Sequence, residues 1–358
     1  MDRESGRVPN GSTGKAGTST MHGEAVDSES AEVTPRPPRV VRSRRYYVIR
    51  GCIVVAALLV VPYLTSRALS PWRCVRTIET RPVTQAVPPS RRTLRVLTYN
   101  IAHGRGLSPS NWQGGNAQQR LARLDAIAAL LVQQDADIVI LNEADFESPW
   151  SHSVDQAAYL AERAGYPYCA EQRNVDFRVA FWPCRFGNAV LSRFPIEAAR
   201  VVALPGNNTW QTVLGGKKQA LACDVKLADR TVQVIAVHLY HADENVRTAS
   251  TGALIAAARS SPFTTLVAGD LNSTPPDFPW SQFDQNGRNA VKLLDESQLF
   301  QRRPMDPPTA TAEMTFHATE PRSVIDWILI PTNWKFVRYE VFPSELSDHR
   351  PVMAEVEY

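Results

Sequence analysis

From residue 94 to the C-terminus, short apolar runs of strand character recur between helical runs. Six of them carry Asn, Asp, Glu or His at or near an end: Asn100, Glu143, His238, Asp270 with Asn272, Asp326, and Asp348 with His349. One such residue is ordinary, because Asn and Asp suit the turns that follow strands. The same few residue types at six ends are harder to set aside. Loops at strand ends let a rigid scaffold bring side chains together that are far apart in sequence.

The runs between these ends have the matching periodicities. In 117-AQQRLARLDAIAALLVQQ-134, Leu121, Leu124, Ile127, Ala128 and Leu131 fall on one helical face. The stretch 155-DQAAYLAERAG-165 is a short helix stopped by Gly165, and 245–260 is a third helix. Strand character marks 94–100, 137–143, 187–193, 219–227, 231–240, 264–272, 324–330, 336–342 and 351–358. No repeat of 20 to 50 residues is visible. The mixture predicts sheets covered by helices on their outer faces.

The N-terminal quarter is of another kind. Residues 1–45 lack apolar periodicity and are expected to be a disordered tail, unable to bury enough surface to offset ordering entropy. The stretch 51-GCIVVAALLVVPYLTS-66 is the strongly apolar run, with arginines at 50 and 67 and six arginines between 36 and 50. A basic flank before an apolar span predicts a signal anchor over 46–67, with the remainder of the chain outside the cytoplasm. A cleaved signal peptide is the alternative, but 68-ALSP-71 would put proline just after the cut. Residues 68–93 are expected to be a linker and 94–358 the folded domain.

Charge divides at the same place. Residues 1–93 hold 15 basic and 7 acidic side chains, a balance of +8, whereas 94–358 hold 24 and 29, a balance of −5. The basic excess therefore flanks the apolar span and faces anionic lipid rather than nucleic acid. None of the five cysteines lies in a CxxC pair, which argues against a zinc cluster. Cys169 and Cys184 lie on either side of 170-AEQRNVDFRVAFWP-183, a candidate hairpin, and could pair outside the cytoplasm.

Asn amides and carboxylates are hard ligands that suit Mg²⁺, Mn²⁺ or Ca²⁺. A histidine beside such a site can move protons, with a carboxylate on its far nitrogen to orient it; Asp326 and His349 could form that pair. The chain has no GxSxG, GxxxxGK[ST] or GxGxxG motif, so a nucleophile elbow and a nucleotide cradle are not expected.

Seven stretches in one order, 98-TYNIAHG-104, 140-ILNEAD-145, 187-GNAVLSRFPI-196, 237-VHL-239, 268-AGDLN-272, 325-IDWIL-329 and 347-SDHRPV-352, resemble the endonuclease/exonuclease/phosphatase family, with its deoxyribonuclease-I-like fold. The resemblance implies an α/β (α+β) four-layer sandwich, two packed mixed β-sheets with helices on both outer faces. It also implies metal-dependent hydrolysis of a phosphoester by water attacking in line. Carried over residue by residue, it makes His238, Asp270, Asn272, Asp326 and His349 catalytic. It gives Asn188 to the substrate, and Asn100, Glu143 and Asp348 to a divalent metal, Mg²⁺ first and Mn²⁺ or Ca²⁺ as alternatives. Asn142 stands where the family often has Gln. The expected partners are a phosphoester substrate, lipid-like or small, and a membrane through 46–67, with the protein a monomer. An extracytoplasmic nuclease is the alternative, and a non-catalytic binding module a third reading. His103 is expected to be a satisfied loop histidine, His152 and His317 carry no motif, His241 either lines the cleft or faces solvent, and Arg178 and Arg247 are solvated or structural.

Overall fold

The structure is a computed structural model that describes residues 42–80, 93–206 and 218–358. Most of the expected tail and residues 81–92 of the expected linker lie outside the described residues. The chain forms two units, Met1–Arg50 and Gly51–Tyr358. Of the first, the described part is the start of helix α1, Arg44–Leu69. This helix has 26 residues, none of its apolar window is buried, and it is long and apolar enough to cross a membrane.

The second unit holds two mixed sheets. The seven-stranded sheet runs β1-β4-β5-β3-β2-β13-β12, made of Val75–Glu79, Tyr168–Val179, Trp182–Ser192, Ile138–Asp145, Thr93–Asn100, Val352–Glu357 and Lys335–Val341. The six-stranded sheet runs β10-β11-β9-β8-β7-β6, made of Phe300–Gln301, Asp326–Pro331, Thr265–Asp270, Thr231–His238, Gln219–Lys226 and Ile196–Ala203. Within each sheet one pair is parallel, β2 with β3 and β8 with β9.

Three apolar clusters make the four layers. Val96, Ile138, Val190, Leu221, Val234 and Ile328 meet between the sheets. Leu97, Val139 and Leu141 face the other way, under α2 (Ala117–Gln134) and α3 (Gln156–Ala164). Ile235, Val237 and Trp327 lie under α4 (Glu244–Ser260) and α5 (Ala290–Glu296). The central strands are thus buried on both faces, which is why their sequences read as continuous apolar runs rather than alternations. Helix α2 keeps the expected bounds, closed at its start by a capping box between Asn116 and Gln119.

Two expectations are corrected. Residues 75–79, inside the expected linker, form β1 and pair antiparallel with β4. Cys169 and Cys184 do lie in one hairpin, but the ladder sets Cys184 opposite Phe177, eight positions along β4 from Cys169. That is about 25 Å of strand, far beyond the Cα separation of about 6 Å that a disulfide spans. Cys169 and Cys184 are free thiols.

Candidate active site

The ladder registers carry the polar strand ends to one place. In the six-stranded sheet, Asp270 pairs with His238 on one side and with Asp326 on the other. In the seven-stranded sheet, Asn100 pairs with Asn142, one residue before Glu143. The last loop enters through bridges that pair Ser347 with Gly106 and His349 with Phe316.

Asp270 is the meeting point. Its Oδ2 accepts from the Asn100 amide at 3.1 Å, lies 3.5 Å from His238 Nε2 and 3.8 Å from His349 Nε2. Its Oδ1 accepts from the backbone N–H of Asn272 at 2.8 Å. On the far side of the His349 ring, Nδ1 is 2.9 Å from Asp326 Oδ2. The order Asp270, His349, Asp326 is thus continuous and buried.

This packing separates the titrations. Burial pushes the Asp270 carboxyl up, the nearby imidazolium of His349 opposing and Asp326 adding to it, to about 7. Burial works against charge on His349, but Asp326 and Asp270 outweigh it and raise the imidazole to about 10. His238 moves the opposite way: burial, then the Lys218 ammonium, hold it well below the ordinary histidine range. Lys218 Nζ lies 3.0 Å from the His238 ring nitrogens.

Glu143 is held from behind. His103 is buried, with Nδ1 2.8 Å from Asp145 Oδ1 and Nε2 3.2 Å from Glu143 Oε2. Its carbonyl accepts from Arg120 and from Gln156, each at 2.9 Å. Burial opposes the charged imidazole, but Asp145 and Glu143 win and lift it to about 9. In return, His103 draws the Glu143 carboxyl well below the usual carboxylate range against the upward push of burial. Ala102, His103, Glu143 and Asn272 all sit in the left-handed backbone region, at φ of 46°, 55°, 51° and 49°. Each costs on the order of 1 kcal/mol, strain of a kind that clusters where side chains are aimed for function.

Gly269, next to Asp270, has φ +142°, and a Cβ there would meet the Val237 carbonyl oxygen at 1.8 Å. Only glycine lets β9 approach β8 this closely and set Asp270 beside His238.

Asn188 and Asn142 form one buried amide pair. Asn188 is fully buried; its Oδ1 accepts from Asn142 at 2.8 Å and its Nδ2 donates to Gln172 and to the Gln219 carbonyl. Its amide is committed to internal partners, which braces the site. Asn142 is the other half of that brace. Its Oδ1 accepts from the Asp270 backbone N–H at 2.9 Å, and its Nδ2 donates to Val237 O at 3.0 Å, tying one sheet to the other. Asn142→Ala strands a buried donor and two acceptors, and is expected to cost about 3 kcal/mol of unfolding free energy, measured by denaturant titration. A loss under about 0.5 kcal/mol would show that the brace contributes little.

Asp348 Oδ2 takes a 2.6 Å contact from Arg105, whose other nitrogen is 3.9 Å from Glu143 Oε2. Asn100 and Asp270 are bonded, Asp326 lies behind His349, and Arg105 links Asp348 to Glu143; oxygen donors of these types suit a hard divalent cation. Ligand atoms of Asp270, Asp326 and His349 lie within 4.8 Å of one another, a grouping able to hold an ion. Within that grouping Asp326 and His349 are already bonded to each other. His103, Arg105 and Lys218 were not anticipated. The first two sit in 98-TYNIAHG-104 and just after it, and the third in 216-GKKQ-219, where nothing local announces what each will face. Arg247 is buried against Glu244 and the Tyr240 and His241 carbonyls, a structural role as expected.

The model of the Endonuclease/Exonuclease/phosphatase family matches residues 97–349. No curated protein matches the chain. Among solved structures, an endonuclease/exonuclease/phosphatase from Beutenbergia cavernae is 24% identical with a TM-score of 0.55, covering 75% of this chain and 72% of that one. A mannosyl-6-phosphatase from Bacteroides thetaiotaomicron is 16% identical with a TM-score of 0.52, covering 74% and 100%. A humanized TDP2 from D. rerio is 14% identical with a TM-score of 0.50, covering 75% and 100%. At these identities the likeness is one of fold.

Proposed function

The chain belongs to the endonuclease/exonuclease/phosphatase family, whose members are hydrolases acting on phosphoester bonds, and from that premise we propose that it is a divalent-metal-dependent phosphodiesterase. The observation that carries this reading is Asp270 set between His238 and His349, with Asp326 behind His349.

Asp270, pushed up to about 7, takes the proton of the attacking water. His349, raised to about 10, enters protonated and gives its Nε2 proton to the leaving oxygen, while Asp326 holds Nδ1 and with it the ring orientation. His238 is neutral and hydrogen-bonds a phosphoryl oxygen, with the Lys218 ammonium beside it to offset negative charge. Glu143, Asn100 and Asp348 would hold the cation, Mg²⁺ first, with Mn²⁺ or Ca²⁺ as alternatives. When bound there, it supplies Lewis-acid polarisation of the phosphate. His103 acts through Glu143: His103→Gln is expected to raise the Mg²⁺ concentration for half-maximal rate about tenfold with kcat at saturating metal nearly kept. A fall in kcat with unchanged metal demand would assign His103 another role.

The substrate class is a lipid-like or small phosphodiester. The folded part is net acidic, and the arginines before α1 favour a cytoplasmic N-terminus with the domain outside. The test is an assay of the full chain with DNA, RNA, sphingomyelin and bis-nitrophenyl phosphate, each with Mg²⁺ and with chelator. Chelator-sensitive cleavage of sphingomyelin or the small diester supports the reading. Preference for nucleic acid makes the protein a nuclease, and no cleavage of any substrate makes it a binding module.

A further inference from the structure

The turn between β4 and β5 carries three exposed apolar side chains, Val179 at 39%, Phe181 at 74% and Trp182 at 54%. A soluble domain has no use for a bare Phe-Trp pair at a hairpin tip, and the phosphoesterase chemistry gives it none. Its neighbour is informative. Just before the tip, the Phe177 ring packs edge-on against Tyr63 of α1, with centroids 5.6 Å apart. The backbone N–H of Arg178 donates to Ser66 Oγ at 2.9 Å. The hairpin is therefore clasped to the last two turns of the helix that is able to cross a membrane. Residues 51–66 of that helix rise about 24 Å, so Tyr63 and Ser66 lie near one end of the apolar stretch. Trp72, 80% exposed, follows directly after the helix.

The charges agree. Residues 62–73 and 177–183, the end of α1 and the hairpin tip, contain no Asp or Glu but do contain Arg67, Arg73 and Arg178. Aromatic rings beside arginines are the composition of a membrane–water interface, where amphipathic rings sit at headgroup depth and cations meet lipid phosphate.

We propose that the β4–β5 tip and Trp72 form a bilayer contact that holds the catalytic domain on the membrane surface beside α1. It rests on α1 being a membrane span. The contact bears on the site directly. From Trp182, β5 runs six residues to Asn188, about 20 Å, so the cleft is tethered within that reach of the lipid surface.

The test uses the full chain in vesicles of phosphatidylcholine with one-fifth phosphatidylglycerol, some carrying lipid brominated near the headgroup. Bromine quenches tryptophans at that depth. The expected result is that Trp182→Phe and Trp72→Phe each remove part of the quenching, while Trp280→Phe, at another exposed position, removes none. Carbonate washing reports the span separately. A chain retained after washing whose Trp182→Phe and Trp72→Phe variants quench as wild type overturns the hairpin contact alone. A chain washed off the vesicles overturns both the span and the contact, and the phosphodiesterase assay is untouched by either result.

Discussion

Asp270→Asn is expected to lower kcat on a phosphodiester by about 10³-fold, equivalent to about 4 kcal/mol of transition-state stabilisation, with substrate KM little changed. The reason is geometric. Asp270 is the one carboxylate within 4 Å of both His238 and His349 among the described residues, and burial lifts it to about 7, where it can take a proton at neutral pH. The amide oxygen can keep the hydrogen bond from the Asn272 backbone while the bond from Asn100 is lost, so the fold is expected to survive with a modestly lowered thermal midpoint, checked by a cooperative melting transition. A variant within threefold of wild type would remove Asp270 from the chemistry.

Asp326→Asn is the second large effect, and it depends on pH. In the folded protein His349 is raised to about 10, so its imidazolium is present below that pH and lost above it. Asp326 is the larger of the two carboxylate influences, and its removal drops His349 toward the ordinary histidine value of about 6.5, with Asp270 keeping part of the elevation. If His349 is the acid, the alkaline limb of the rate profile moves down by about two pH units. The variant then loses about 25-fold at pH 9.5 and much less at pH 6. An equal loss at every pH would mean that Asp326 serves only to position the ring.

Much of this was legible beforehand because the physics was local. Helices α2, α3 and α4 are written in 3.6-residue periodicity and caps, and the strands around Asn100, Glu143, His238 and Asp270 in apolar runs buried on both faces. The polar strand ends converge as their order and resemblance imply, because two parallel pairs bring strand ends to the same edge. What stayed hidden is pairwise and three-dimensional. Strand β1 is short and alternates weakly, and it is defined by its ladder to β4. Asn188 carries no local signal that its amide will bond Asn142 and Gln172 across the ladder. His103 reads as a loop histidine until Asp145 and Glu143 close on its two nitrogens. Cys169 and Cys184 flank a hairpin as expected, but strand register separates them.

The central claim is that water attacks phosphorus at the Asp270 centre. Hydrolysis of a phosphodiester by the full chain with Mg²⁺ in ¹⁸O-enriched water tests it most directly, with both products weighed by mass spectrometry. The account expects one ¹⁸O in the phosphate-bearing product and none in the released alcohol, with turnover abolished by chelator. Label in the alcohol, or turnover that persists in chelator, would contradict it.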